Sequence, residues 1–156
     1  MYDYIKIPEI TNWAKFESLI HDLYAVHLDP IQKNGRSGQV QNGIDIYGYN
    51  LSKELVGIQC KVKSKADMSN KSFRQNLFSE IKSEAEKAAT FNKNLKRFMF
   101  VTTAQRDSSI QQNTTDLDIK MYTQYGFNVQ IIFWDDICDL LIKQEHKKTF
   151  IKYFND

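Results

Sequence analysis

Between Asn12 and His27 the apolar side chains Trp13, Phe16, Leu19, Ile20, Leu23 and Tyr24 recur at helical spacing, and Thr11 or Asn12 stands where an N-cap belongs. This pattern predicts an amphipathic first helix. A polar stretch follows from Asp29 to Gly43, and Gly35, Gly38 and Gly43 within it predict a long loop. Two short apolar runs, Ile44–Tyr49 and Leu55–Lys63, have strand character, and the residues Asn50 to Glu54 between them suit an antiparallel hairpin. From Ser72 to Phe91 the helical period returns, with Phe73, Leu77, Phe78, Ile81, Ala85 and Ala88 as its buried stripe. The remaining pattern predicts a strand at Arg97–Thr103, a helix around Asp116–Tyr125 stopped by Gly126, and a strand at Phe127–Phe133. Asp135 or Asp136 then caps a helix through Ile137–Lys143, with more helix at Lys147–Phe154.

A helix, a hairpin, and then strands alternating with helices imply an α/β sandwich around a mixed sheet, its last two strands parallel and joined by a right-handed crossover. Side-chain alternation sharpens the picture. Ile44 and Ile46 should share one face of their strand, as should Ile58, Cys60 and Val62 of the next, which leaves Asp45, Gln59, Lys61 and Lys63 together on the other. A carboxylate inside an apolar strand needs a cation or hydrogen-bond donors. Glu17 raises the same question, because at 3.6 residues per turn it falls beside Trp13, Ile20 and Tyr24 in the apolar stripe. Two carboxylates and an ammonium are thereby candidates for one site, and hard oxygen ligands of this kind suit Mg²⁺.

Composition narrows the possibilities. At 156 residues and 42% hydrophobic, with ten Phe, eight Tyr and two Trp, the chain suits one folded domain over residues 1–156. No apolar run approaches the ~18 residues of a membrane span, and the first residues lack the order of a signal peptide, so a cytoplasmic site is expected. Cys60 and Cys138 have no CxxC spacing, and neither a disulfide nor structural zinc is expected. The net charge of +2 is small, but Lys61, Lys63, Lys65, Lys71 and Arg74 cluster with Asp67 as their one countercharge in the segment, a pattern that suits either a phosphate backbone or a solvated face. His21, His27 and His146 show no metal-ligand spacing and read as surface or packing residues. Asp135 and Asp136 read as capping residues, and Thr102–Arg106 as a turn after a strand. The end of the chain at Asp156 without a turn or polar tail suggests the N-terminal effector domain of a longer protein.

The residues at the candidate site resemble the PD-(D/E)xK nucleases, and among them the restriction-endonuclease-like, Mrr-like group. The matching string is Trp13, Phe16, Glu17 and Leu19, then Ser37-Gly38-Gln39, Gly43-Ile44-Asp45-Ile46, Tyr47-Gly48 and Gln59-Cys60-Lys61. It covers residues 13 to 63 closely. Beyond them it rests on the order of elements, including Phe100–Thr103 and Trp134–Ile137. No proline precedes Asp45, and Gln59 stands where the wider superfamily has a second acid; the glutamine is usual in the Mrr-like branch, where the helical glutamate compensates.

The resemblance implies a restriction-endonuclease-like α/β/α sandwich and a Mg²⁺- or Mn²⁺-dependent endonuclease acting on double-stranded DNA, in restriction or defence against phage. It implies Asp45, Glu17 and the main-chain carbonyl of Cys60 as metal ligands, Lys61 as the group that orients water or meets phosphorane charge, and Gln59 as a water-positioning residue. Gln39, Gln41, Lys63, Lys65 and Arg74 would contact the nucleic acid. A homo-oligomer for double-strand cleavage and a fused sensing or NTP-hydrolysing region are the expected partners. Three alternatives stay open: a buried Asp45–Lys61 ion pair that closes the hairpin, a silent nucleic-acid-binding or regulatory module, and an RNA-cutting enzyme with the same site.

Overall fold

Asn12 caps the first helix, α1 (Trp13–Tyr24), with its side chain accepting the Lys15 N–H at 2.9 Å, so the predicted helix and cap are both present. The computed structural model describes residues 7–35, 39, 41–63 and 67–154. In chain order they form α1, β1 (Ile31–Lys33), β2 (Ile46–Tyr49), β3 (Leu55–Lys61), α2 (Lys71–Ala88), β4 (Leu95–Thr102), α3 (Ser108–Tyr125), β5 (Asn128–Ile132), α4 (Trp134–Leu141), a 3-10 turn (Gln144–His146) and α5 (Lys147–Phe154).

The five strands make one mixed sheet in the order β1-β2-β3-β4-β5. The first three are antiparallel neighbours, and β3, β4 and β5 run parallel, with α2 and α3 as the connections between them. Alternation along the central strands feeds two cores. Ile58 and Cys60 of β3 and Met99 and Val101 of β4 meet Phe16, Leu19, Ile20 and Leu23 of α1 and Ile137 and Leu141 of α4. Phe98 and Phe100 point the other way, to Leu77, Ile81 and Ala85 of α2 and Leu117 and Met121 of α3. The result is an α/β/α sandwich: helix layers cover both faces of the mixed sheet.

Four departures from the sequence pattern have physical reasons. The stretch Asp29–Gly43 contains the edge strand β1, which is three residues long and carries too few apolar positions for a period-2 signal. Ile44 and Ile46 do not share a face: Ile46 enters the α1 core, whereas Ile44 packs with α2 and lies against Gly57, which has no Cβ to obstruct it. The regular strand begins only at Ile46, so alternation does not extend back to Ile44. Helix α3 starts at Ser108, about two turns earlier than its hydrophobic signal, because Asp107 caps it through the Ile110 N–H at 3.0 Å over a polar first half. In α4 the cap position is Phe133, and Asp136 sits inside the first turn, accepting the Phe133 N–H at 2.9 Å.

Asp135 and Asp136 have a second use. The Arg106 N–H reaches Asp135 at 3.3 Å, and its guanidinium reaches Asp136 and Asp139, so this acidic group anchors the turn after β4 to α4. No helix among the described residues is long and apolar enough to cross a membrane.

Candidate active site

Strand β2 pairs with β3 only from Ile46 onward, and the consequences fall at Cys60. Ahead of that point the Asp45 N–H still bonds the Ile58 carbonyl at 2.8 Å, but the Cys60 N–H and C=O on the same edge of β3 have no strand opposite them. Side chains satisfy both. The Asp45 carboxylate accepts the Cys60 N–H at 2.8 Å, and the Trp13 indole donates to the Cys60 carbonyl at 3.0 Å. Asp45 is thus held at the frayed junction of two strands, 3% exposed, with its carboxylate directed along the sheet edge.

Asp45, Gln59 and Lys61 line one groove of about 370 Å³, together with Gln41, Gly43, Glu84 and Lys87. The alternation of β3 explains the grouping, since Ile58 and Cys60 go to the α1 core and Gln59 and Lys61 project toward α2. Glu84 comes from α2, 8% exposed, on the inner stripe with Leu77, Ile81 and Ala88. The residues 77, 81, 84 and 88 follow helical spacing, so the argument that singles out Glu17 also applies to Glu84; sequence reasoning missed it among the small residues around it. Gly43 lets the chain pass close to α2, at φ 75° and where a Cβ would stand 2.8 Å from the Glu84 carbonyl.

Glu17 approaches from the α1 side, 9% exposed, with its carboxylate 3.6 Å from the Lys33 ammonium of β1. Glu84 has a matching partner in Lys87, at 3.3 Å. Glu17 and Glu84 thus each have their own lysine, and both carboxylates act electrostatically on Asp45. Burial above all pushes the Asp45 carboxyl up to about 6; the Cys60 N–H and the Lys61 charge oppose this, and Glu17 and Glu84 reinforce it, Glu17 the more strongly. Glu17 is not among the groove-lining residues, yet its charge weighs more on Asp45 than that of Glu84, which does line it.

Other expected site residues lie in different settings. Lys61 and Lys63 both reach Glu80 of α2, at 3.4 and 2.5 Å, so the basic cluster has a countercharge that lies nearly a helix away in sequence. The Gln41 amide donates to the Asn34 carbonyl at 2.7 Å and so fastens the loop, although Gln41 also borders the groove. The Gln39 side chain lies over Gly35. Arg74 does not join the groove; its guanidinium donates to the Met68 carbonyl at 2.8 Å and lines a separate depression between α2 and α3. The Cys60 carbonyl, expected to face a metal ion, has one of its two lone pairs engaged by Trp13. Lys65, Ser37 and Gly38 lie outside the described residues.

No protein-family model matches the sequence, and no curated protein matches it. The functional reading therefore rests on the chemistry of the groove.

Proposed function

We propose that the chain is a metal-dependent endonuclease of the PD-(D/E)xK type that cuts DNA at the groove around Asp45. The observation that carries this reading is the meeting of Asp45, Gln59 and Lys61 in one groove, with Glu17 and Glu84 close enough to raise the proton affinity of Asp45. Glu17 and Glu84 each have a lysine partner, but the buried Asp45 carboxylate has no ion-pair partner among the described residues, and its oxygens are hard donors, which suits Mg²⁺ or Mn²⁺. Asp45 and Glu17 are the preferred ligand pair. Glu84 lines the same groove from α2.

Bound there, the ion supplies Lewis-acid polarisation of a phosphodiester and a lowered pKa for attacking water. The chain's own groups do the rest. Lys61 presents an ammonium to the negative charge that develops on the phosphoryl oxygens, at the edge of a largely buried strand where such charge is poorly screened. Gln59, one turn of the pleat before it, offers an amide that can both donate to and accept from a water. Lys33, Lys87 and Lys63 border the acids and give flanking phosphates a cationic rim.

A second reading is supported by one specific contact. Glu80 engages both Lys61, which lines the groove, and Lys63 beyond it, so the ammonium assigned to the developing charge is already paired in this conformation, as it would be in a catalytically silent module. Digestion of labelled duplex DNA, single-stranded DNA and structured RNA, side by side in Mg²⁺ or Mn²⁺ and with EDTA controls, separates the possibilities. The proposal expects duplex cleavage that EDTA stops. Retention of DNA with no cleavage in either metal would favour the silent module, and preferential cutting of RNA would reassign the substrate.

A further inference from the structure

At the other end of α1, three potential ligands that the sequence gives no reason to associate come together. His27 follows α1, and Glu145 and His146 form the 3-10 turn between α4 and α5. One ligand atom from each lies within 4.8 Å of the others. The His27 and His146 rings meet edge to face with centroids 5.8 Å apart, and Glu145 Oε1 is 3.6 Å from His146 Nε2.

His146 is the unusual member. Its side chain is fully covered, and neither ring nitrogen has a hydrogen-bond partner among the described residues. An imidazole always presents polar nitrogens, and buried polar atoms are as a rule satisfied. His27 and Glu145 are exposed, so an approaching ion can reach the cluster from solvent.

We propose that His27, Glu145 and His146 form a binding site for a divalent transition-metal ion, of the Zn²⁺ or Co²⁺ kind, which ties the end of α1 to the turn between α4 and α5. Two imidazole nitrogens and one carboxylate oxygen are a donor set for a borderline-soft ion, whereas Mg²⁺ prefers oxygen ligands throughout. Ligand atoms around tetrahedral Zn²⁺ lie about 3.3 Å apart, so the cluster has to contract modestly, which rotation of the two exposed side chains allows. Three protein ligands leave a fourth position for water. Helix α1 is about 18 Å long, and Trp13 at its opposite end touches Cys60, so this site is separate from the Asp45 groove.

The test is a Zn²⁺ titration by calorimetry of the whole chain in excess Mg²⁺, which saturates the oxygen-rich groove and competes poorly for imidazole. His27→Ala and Glu145→Gln are the comparison variants, since both positions are exposed and circular dichroism can verify their fold. The wild type should bind one equivalent of Zn²⁺, and each variant should bind it about tenfold or more weakly. Co²⁺ should give visible absorption bands that are weakened in both variants, and at the same Zn²⁺ concentration the rise in Tm should be larger for the wild type than for His27→Ala. Equal Zn²⁺ affinity in all three proteins, or no Zn²⁺ binding by the wild type under these conditions, would overturn the proposal.

Discussion

Asp45 carries two opposed demands. The fold needs its carboxylate as acceptor for the Cys60 N–H, and burial among other acids makes the charged form unfavourable. With the folded pKa near 6 against 3.8 for the free side chain, the protonated form fits the fold better. Below about pH 4 both states are protonated and nothing is lost. As pH rises through about 6 the folded chain must hold a buried charge, so stability falls across that window by roughly 3 kcal/mol. Asp45→Asn keeps an acceptor for Cys60 and removes the charge. In the absence of metal it should raise the urea midpoint at pH 7.5 by an energy of that order, and the gain should shrink toward pH 4; an unchanged or lowered midpoint at pH 7.5 would contradict the placement. Cleavage by the wild type should in turn fall as pH drops through about 6, with a midpoint that moves lower as Mg²⁺ is raised, because the ion competes with the proton for the same carboxylate.

Lys61 poses a competition of another kind. Its ammonium is 3.4 Å from Glu80, a partly exposed pair of the sort that contributes about 0–1 kcal/mol to stability. Glu80→Gln should leave the Tm nearly unchanged and lower the KM for DNA by freeing both Lys61 and Lys63 for phosphate. A raised KM would mean that Glu80 positions the lysines and does not restrain them. Asp45, Gln59 and Lys61 were legible in the sequence because each interrupts an apolar strand pattern, and Glu17 because it interrupts a helical one. Glu80 was not, since a half-buried glutamate on a helix has no signature until the helix is docked.

At the scale of elements, the site depends on how closely the segment before β2 crosses α2. Gly43 permits that crossing through its positive φ and its missing Cβ, and Ile44 then seats against Gly57. Gly43→Ala would add a left-handed alanine, at about 1–2 kcal/mol, and press a methyl group on the Glu84 carbonyl. A stability loss of at least about 2 kcal/mol by urea denaturation is expected, with reduced cleavage from displacement of Asp45 or Glu84. A neutral substitution would show that the crossing is looser than described. The helices and inner strands were readable from their periodicity. Strand β1 and the polar first half of α3 were not, because what defines them is an edge pairing with β2 and an aspartate cap, neither of which leaves a hydrophobic period.

At the scale of the whole molecule, the two helix layers insulate the sheet faces and leave the frayed β2–β3 junction as the place where buried acids and cations meet solvent. The α/β/α arrangement followed from the order of elements, since strands alternating with helices after a hairpin leave few ways to cover both faces of a sheet. What the order of elements could not convey was that α2 brings Glu84 into the groove beside Asp45, while Glu17 acts on Asp45 from the α1 side. If the groove cuts one strand at a time, concerted cleavage of both strands needs two copies on one duplex, and the rate of linearisation should then rise more steeply with protein concentration than the rate of nicking.

The most direct test is cleavage of supercoiled plasmid in Mg²⁺ by wild type, Asp45→Asn and Lys61→Ala, each first shown to be folded. Nicked or linear product from the wild type alone, abolished by EDTA, is the predicted result. Product formed by both variants at the wild-type rate, or by none of the three proteins in either Mg²⁺ or Mn²⁺, would contradict the assignment of a phosphodiester-cleaving site to this groove.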